Sequence, residues 1–72
     1  SHIVIRGGSF TTDKEADGFL NPTIQFSGTM EISDATITRI GIGIKKGFGS
    51  TLTASNLTFI PIGNNNTYPD TN

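Results

Sequence analysis

Apolar and polar residues alternate along most of this chain. His2-Ile3-Val4-Ile5-Arg6 places its isoleucines at every second position, with Val4 between them, and Thr23-Ile24-Gln25-Phe26-Ser27 and Gly41-Ile42-Gly43-Ile44-Lys45 place all their apolar residues so. Side chains on a strand point to opposite faces with period two, so such runs predict half-buried strands. No window carries a helical period. The pattern also repeats. His2–Thr11 can be laid over Thr29–Thr38 and over Thr51–Ile60, at offsets of 27 and 22 residues. In each copy an apolar–any–apolar–polar stretch leads to Gly7, Asp34 or Asn56. A Ser or Thr and then Phe10, Ile37 or Phe59 follow.

This repeat has a direct physical reading. Ile3 and Ile5, Met30 and Ile32, and Leu52 and Ala54 face one way; Val4, Glu31 and Thr53 face the other. Gly, Asp and Asn tolerate left-handed backbone angles, so Gly7, Asp34 and Asn56 predict a sharp bend. After the bend, Phe10, Ile37 and Phe59 return inward. A strand–bend–strand unit repeated in this way stacks on itself at about 4.8 Å, equivalent residues lying over one another. The third alternating run predicts a further strand, with Ile24 over Ile42 and Phe26 over Ile44. Gly28, Gly47 and Gly49 mark turns between repeats.

The expected core is Ile3, Ile5, Phe10, Ile24, Phe26, Met30, Ile32, Ile37, Ile42, Ile44, Leu52, Leu57 and Phe59. Phe48, after Gly47, is expected to pack inward; stacking on a ring face is the functional alternative. The repeat divides the chain into residues 1–62 and an Asn/Thr-rich tail, 63–72, which carries no pattern and reads as a linker or arm. Pro61 lacks a ladder donor and suits an edge.

Composition agrees with an all-β fold. Thr, Ser, Asn and Gly make up 32 of the 72 residues, and Ile, with 10, is the commonest apolar one. Ile, Leu, Val and Phe together number 19, enough to argue against disorder. A chain this short buries only about 60% of its unfolded surface, so the core is small. There is no cysteine, and hence no disulfide or Cys-based zinc site, and a single histidine. A net charge of −1 argues against electrostatic nucleic-acid binding. No apolar run approaches the roughly 20 residues of a membrane span, so membrane insertion is not expected.

The segments Ile3–Phe10, Met30–Ile37 and Leu52–Phe59 resemble successive coils of the right-handed parallel β-helix of the pectin-lyase-like superfamily. The resemblance covers residues 2 to about 62. It implies an all-β β-solenoid of about three coils. Asp34 and Asn56 fall where that family stacks asparagines in a turn ladder; Gly7 departs from it and shortens the ladder. Family members include polysaccharide lyases and hydrolases and the spikes and fibres of phage tails. The resemblance thus implies a structural and carbohydrate-recognition module of a phage tail spike or fibre, located on the virion tail, or secreted if the source is bacterial. Its expected partner is a surface polysaccharide, and no cofactor is expected. Three coils without caps leave open edges, so a homotrimer or a piece of a longer spike chain is expected. The alternative is a fragment of a polysaccharide lyase or glycoside hydrolase completed by other coils or subunits.

Candidate sites follow from the same frame. The first repeat carries an excess, Thr12–Asn21, and insertions on a repeat scaffold often lie on the binding face. Within it, Asp13, Glu15, Asp17 and Gly18 have the alternate oxygen spacing that opens a calcium loop. Position twelve is Ile24 instead of a bidentate Glu, so a plain charged turn is the competing reading. Glu31 and Asp34 are the acidic residues of the repeats and the candidate catalytic pair, since glycoside hydrolysis uses two carboxyl groups. Against this, Asp34 sits at the bend, where it can bond backbone, and Glu31 lies diagonal to Arg6, where a surface ion pair accounts for it. His2, Arg6, Gln25, Lys45 and Lys46 face outward with Thr and Ser between them and are candidate sugar contacts. Asn56-Leu57-Thr58 and Asn65-Asn66-Thr67 match the glycosylation pattern, with Asn56 better read as a turn residue.

Overall fold

The computed structural model describes residues 2–12, 22–62 and 68–72. The described chain is all-β and its strands pair in parallel. The strands are β1 (His2–Arg6), β2 (Ser9–Thr11), β3 (Ile24–Phe26), β4 (Thr29–Ser33), β5 (Thr36–Arg39), β6 (Ile44–Lys46), β7 (Thr51–Ser55) and β8 (Thr58–Pro61). They form three sheets, in the orders β1-β4-β7, β2-β5-β8 and β3-β6. Three successive passes of the chain therefore lie side by side, each contributing one strand to each of the first two sheets.

The register of those two sheets follows the sequence repeat. Ile3 pairs with Met30 and Met30 with Leu52; Phe10 pairs with Ile37 and Ile37 with Phe59. The bend works as its residue types require. Gly7, Asp34 and Asn56 have φ of 85°, 55° and 51°, the left-handed region that Gly, Asn and Asp enter at least cost. Backbone bonds continue the ladder through the bend, from Gly7 N–H to Ser33 O and from Asp34 N–H to Ser55 O. Asn56 Nδ2 donates to Asp34 Oδ1 at 2.7 Å, so the side-chain ladder has two members and stops at Gly7.

The third sheet departs from the expected register. Ile24 pairs with Ile44 and Phe26 with Lys46. The expectation of Ile24 over Ile42 is therefore displaced by two residues. A slip of two leaves every side chain on its own face, so alternation cannot detect it. The connections account for it. Ser27 and Gly28 join β3 to β4, whereas Gly47–Ser50 join β6 to β7, two residues more.

The buried hydrophobic residues are Phe26, Met30, Ile32, Ala35, Ile37, Ile42 and Ile44. All but Phe26 belong to the middle pass, which has neighbours on both sides. Ile3, Ile5, Phe10, Ile24, Leu52, Leu57 and Phe59 face the same interior but are only half-buried, because each outer pass has one side uncovered. Ala35, outside the expected core, fills the inner corner after the bend. Phe48 does not pack inward. Its relative exposure is 110%, at the tip of the β6–β7 turn. Pro61 ends β8, an outer strand of its sheet.

The C-terminal residues lie along β6. Ile44 N–H donates to Asp70 O at 2.8 Å, Asn72 N–H to Ile44 O at 3.3 Å, and Ile44 and Thr71 form a parallel bridge. Asn72 Oδ1 accepts from Lys46 N–H at 2.7 Å. Arg39 anchors this segment. It takes the inward position two residues after Ile37 on β5 and is 6% exposed. Its Nε donates to Asp70 Oδ1 at 2.7 Å and its guanidinium also donates to Gly41 O at 3.0 Å.

Candidate functional site

Among the described residues, a groove of about 140 Å³ opens on the outward face of the β1-β4-β7 sheet. Val4, Arg6, Glu31, Ser33, Thr53 and Ser55 line it, with Ile5 and Ile32 at its floor. The location follows from the pleat. Ile5, Ile32 and their partners turn inward, which leaves the alternate residues of three adjacent strands as one outward surface. That surface is polar because its strands alternate.

The charged groups of the groove are arranged differently from the expectation. Glu31 pairs directly with Val4, so His2 and Arg6 are both its diagonal neighbours. The carboxylate takes His2: Glu31 Oε2 accepts from Nε2 at 2.5 Å. The Arg6–Glu31 ion pair does not form. Among the described residues the Arg6 guanidinium has no ion pair, since those present are His2–Glu31 and Arg39–Asp70. The groove thus offers an arginine with five N–H donors, a carboxylate that only accepts, and three hydroxyls that do both.

The other sequence-derived candidates lie elsewhere. Asp34 is at the bend, engaged by Asn56, and is not a lining residue of the groove that holds Glu31. Gln25 pairs with Lys45 on the β3-β6 sheet. Lys46, the register partner of Phe26 there, binds Asn72 through its backbone. Gln25 and Lys45 therefore share a second polar surface, separate from Arg6, whereas Lys46, opposite the buried Phe26, takes the other face of the strand and not the outward one expected. Asp13, Glu15 and Asp17, the calcium and loop candidates, lie outside the described residues. Among the described residues no three His, Asp or Glu side chains come together.

Sequence reasoning missed Arg39 and Asp70. The signal available was parity: Arg39 occupies the slot after Ile37 and Thr38 that alternation assigns to the interior, and a buried guanidinium requires a carboxylate. It placed Phe48 in a turn but expected the ring to pack inward, and only the unequal connection lengths gave a sign that the turn protrudes.

No family model, no curated protein and no solved structure matches this chain.

Proposed function

We propose that this chain is a right-handed parallel β-helix of about three coils that serves as a structural and carbohydrate-recognition module of a phage tail spike or fibre. On this reading it works on the virion tail as a homotrimer or within a longer spike chain, against a surface polysaccharide. The observation that carries it is the polar groove over β1, β4 and β7. Sugar hydroxyls donate and accept at once. Arg6, Glu31, Ser33, Thr53 and Ser55 supply both roles within one concave surface. The volume, about 140 Å³, is small beside the roughly 300–1,000 Å³ of pockets that enclose drug-sized ligands. It suits one ring of a polymer laid across the strands. Parallel ladders on three strands hold the lining residues in fixed positions, which keeps the entropy cost of binding low.

The test is a panel of immobilised bacterial surface polysaccharides probed with the 72-residue chain, its mass read by light scattering. A bound polysaccharide, weakened about tenfold or more by Thr53→Leu, which fills the groove, is the expected result. No binding to any member at millimolar concentration refutes the reading.

One observation favours a second reading. Glu31 stands in the groove already hydrogen-bonded to an imidazole, as an acid/base group would. A polysaccharide lyase or glycoside hydrolase would take its remaining groups from other coils or subunits. Release of reducing ends from a bound polysaccharide, abolished by Glu31→Gln, would establish it.

A further inference from the structure

Phe48 has no structural task. Its ring is 110% exposed, while every other phenylalanine among the described residues is buried or half-buried. The turn that carries it is firmly built. Ser50 N–H donates to Gly47 O at 3.1 Å and closes the turn; Gly49 has φ of 78°. That is a four-residue β-turn with a positive φ at its third position, which favours glycine. Gly47 N–H donates to Phe26 O at 2.9 Å, and Thr51 N–H to Gly28 O at 2.9 Å. Ser50 Oγ accepts from Gly28 N–H at 3.0 Å. The turn is thus tied to the preceding connection at both of its ends.

The register shows where this turn came from in the repeat. Phe26 lies opposite Lys46 and Thr29 opposite Thr51, so two residues of one pass face four of the next. The two-residue excess is expelled outward as Phe48 and Gly49. Insertions that leave a repeat scaffold intact supply its contact surface.

The surroundings decide what such a ring can meet. Its chain neighbours are Gly47 and Gly49, and the turn is bonded to Gly28 and Ser50; a Cβ on Gly47 would meet Ser27 Oγ at 3.1 Å, and one on Gly49 would meet nothing within 4 Å. No side chain of an adjacent residue covers either face of the ring. Among the described residues the other exposed large apolar ones are Val4 on β1, Ile60 on β8 and Ile62 just after it. A stable protein interface buries about 1,200 Å² or more, and one isolated phenyl ring among glycines and serines offers only about 150–250 Å². A single planar apolar face does fit the C–H face of a pyranose ring.

We propose that Phe48 is a stacking platform for a sugar ring, a second carbohydrate contact separate from the β1-β4-β7 groove. The proposal rests on the carbohydrate-binding reading above and adds the residue and the contact type. Because the turn is already ordered, the ring is presented without further loss of chain entropy.

The same immobilised polysaccharides test it, with wild type, Phe48→Ala and Phe48→Trp in the full chain. Phe48→Ala should keep the circular dichroism spectrum and the unfolding midpoint, since the ring is not packed. It should bind about three- to tenfold more weakly. Phe48→Trp should bind at least as well as wild type. The chain has no other tryptophan, so its emission should shift when the polysaccharide is added. Wild type and Phe48→Ala binding equally, with no emission shift, overturns this inference and leaves the carbohydrate-binding reading intact. A wild type that binds no polysaccharide overturns both.

Discussion

Removing the Asp70 carboxylate tests how the C-terminal segment is held. Arg39 is the sole buried charged residue among those described; its side chain is 7% exposed, against 51% for Asp70. Breaking a fully buried pair by deleting one partner costs about 3–5 kcal/mol, because a charge is left uncompensated in low dielectric. Here the carboxylate is half in water, and exposed pairs contribute only about 0–1 kcal/mol. Gly41 O also remains as a partner for the guanidinium. The expected cost of Asp70→Ala is therefore intermediate, about 1–3 kcal/mol. That is a large share of the roughly 4–11 kcal/mol expected for a chain of this size. Urea unfolding followed by circular dichroism reads it. Arg39→Met removes the buried charge together with the need for its partner. Asp70→Ala in the Arg39→Met background should then cost less than about 0.5 kcal/mol. If Asp70→Ala costs as little in the native background, the Arg39–Asp70 contact does not hold the segment. If the two costs are equal and large, Asp70 acts through something other than Arg39.

Three further outcomes are expected. Ile37→Ala, at a side chain with 0% exposure in the middle strand of its sheet, should lose about 2–5 kcal/mol in urea unfolding; a loss under 1 kcal/mol would mean the interior is not packed as described. Asn56→Ala loses the Asp34 bond and puts a Cβ-bearing residue without a local hydrogen bond at φ of 51°, so about 1–2 kcal/mol is expected. Asn56→Gly should recover most of the backbone part, and equal losses for both variants would place the whole effect in the side-chain bond. Gly43→Ala would set a Cβ 2.6 Å from Asp70 O and 2.8 Å from the Phe59 ring. It should displace residues 70–72 and speed hydrogen exchange at the Ile44 amide, which donates to Asp70 O; an unchanged exchange rate would count against that docking.

The legible part of this protein was local or periodic. Alternation at Ile3/Ile5, Met30/Ile32 and Ile37 marks strands and assigns their faces. The Gly7, Asp34 and Asn56 positions mark the bend, because few residues accept the left-handed backbone there. Repetition of both signals at common offsets was enough to align two sheets residue for residue. The candidate site was partly legible for the same reason. Parity placed Arg6 and Glu31 outward, and the groove holds both.

The rest depended on distances along the chain that no period carries. Whether β6 sits 18 or 20 residues from β3 leaves the facing of every side chain unchanged, so only the connections could choose. Their choice expels Phe48 into solvent. Glu31 had two diagonal basic side chains equally placed by register, and the geometry of the folded sheet selected His2 over Arg6. Arg39 and Asp70 are 31 positions apart, with nothing local to relate them. Sequence alone determined the strands of the first two sheets, their faces and their bends, since these arise from each residue's own backbone and side-chain preferences; in the third sheet the strand expected from Gly41 begins only at Ile44. Tertiary structure alone decided the third register, the ion-pair partners and the burial of Arg39, since these arise from groups that meet only once the passes lie side by side.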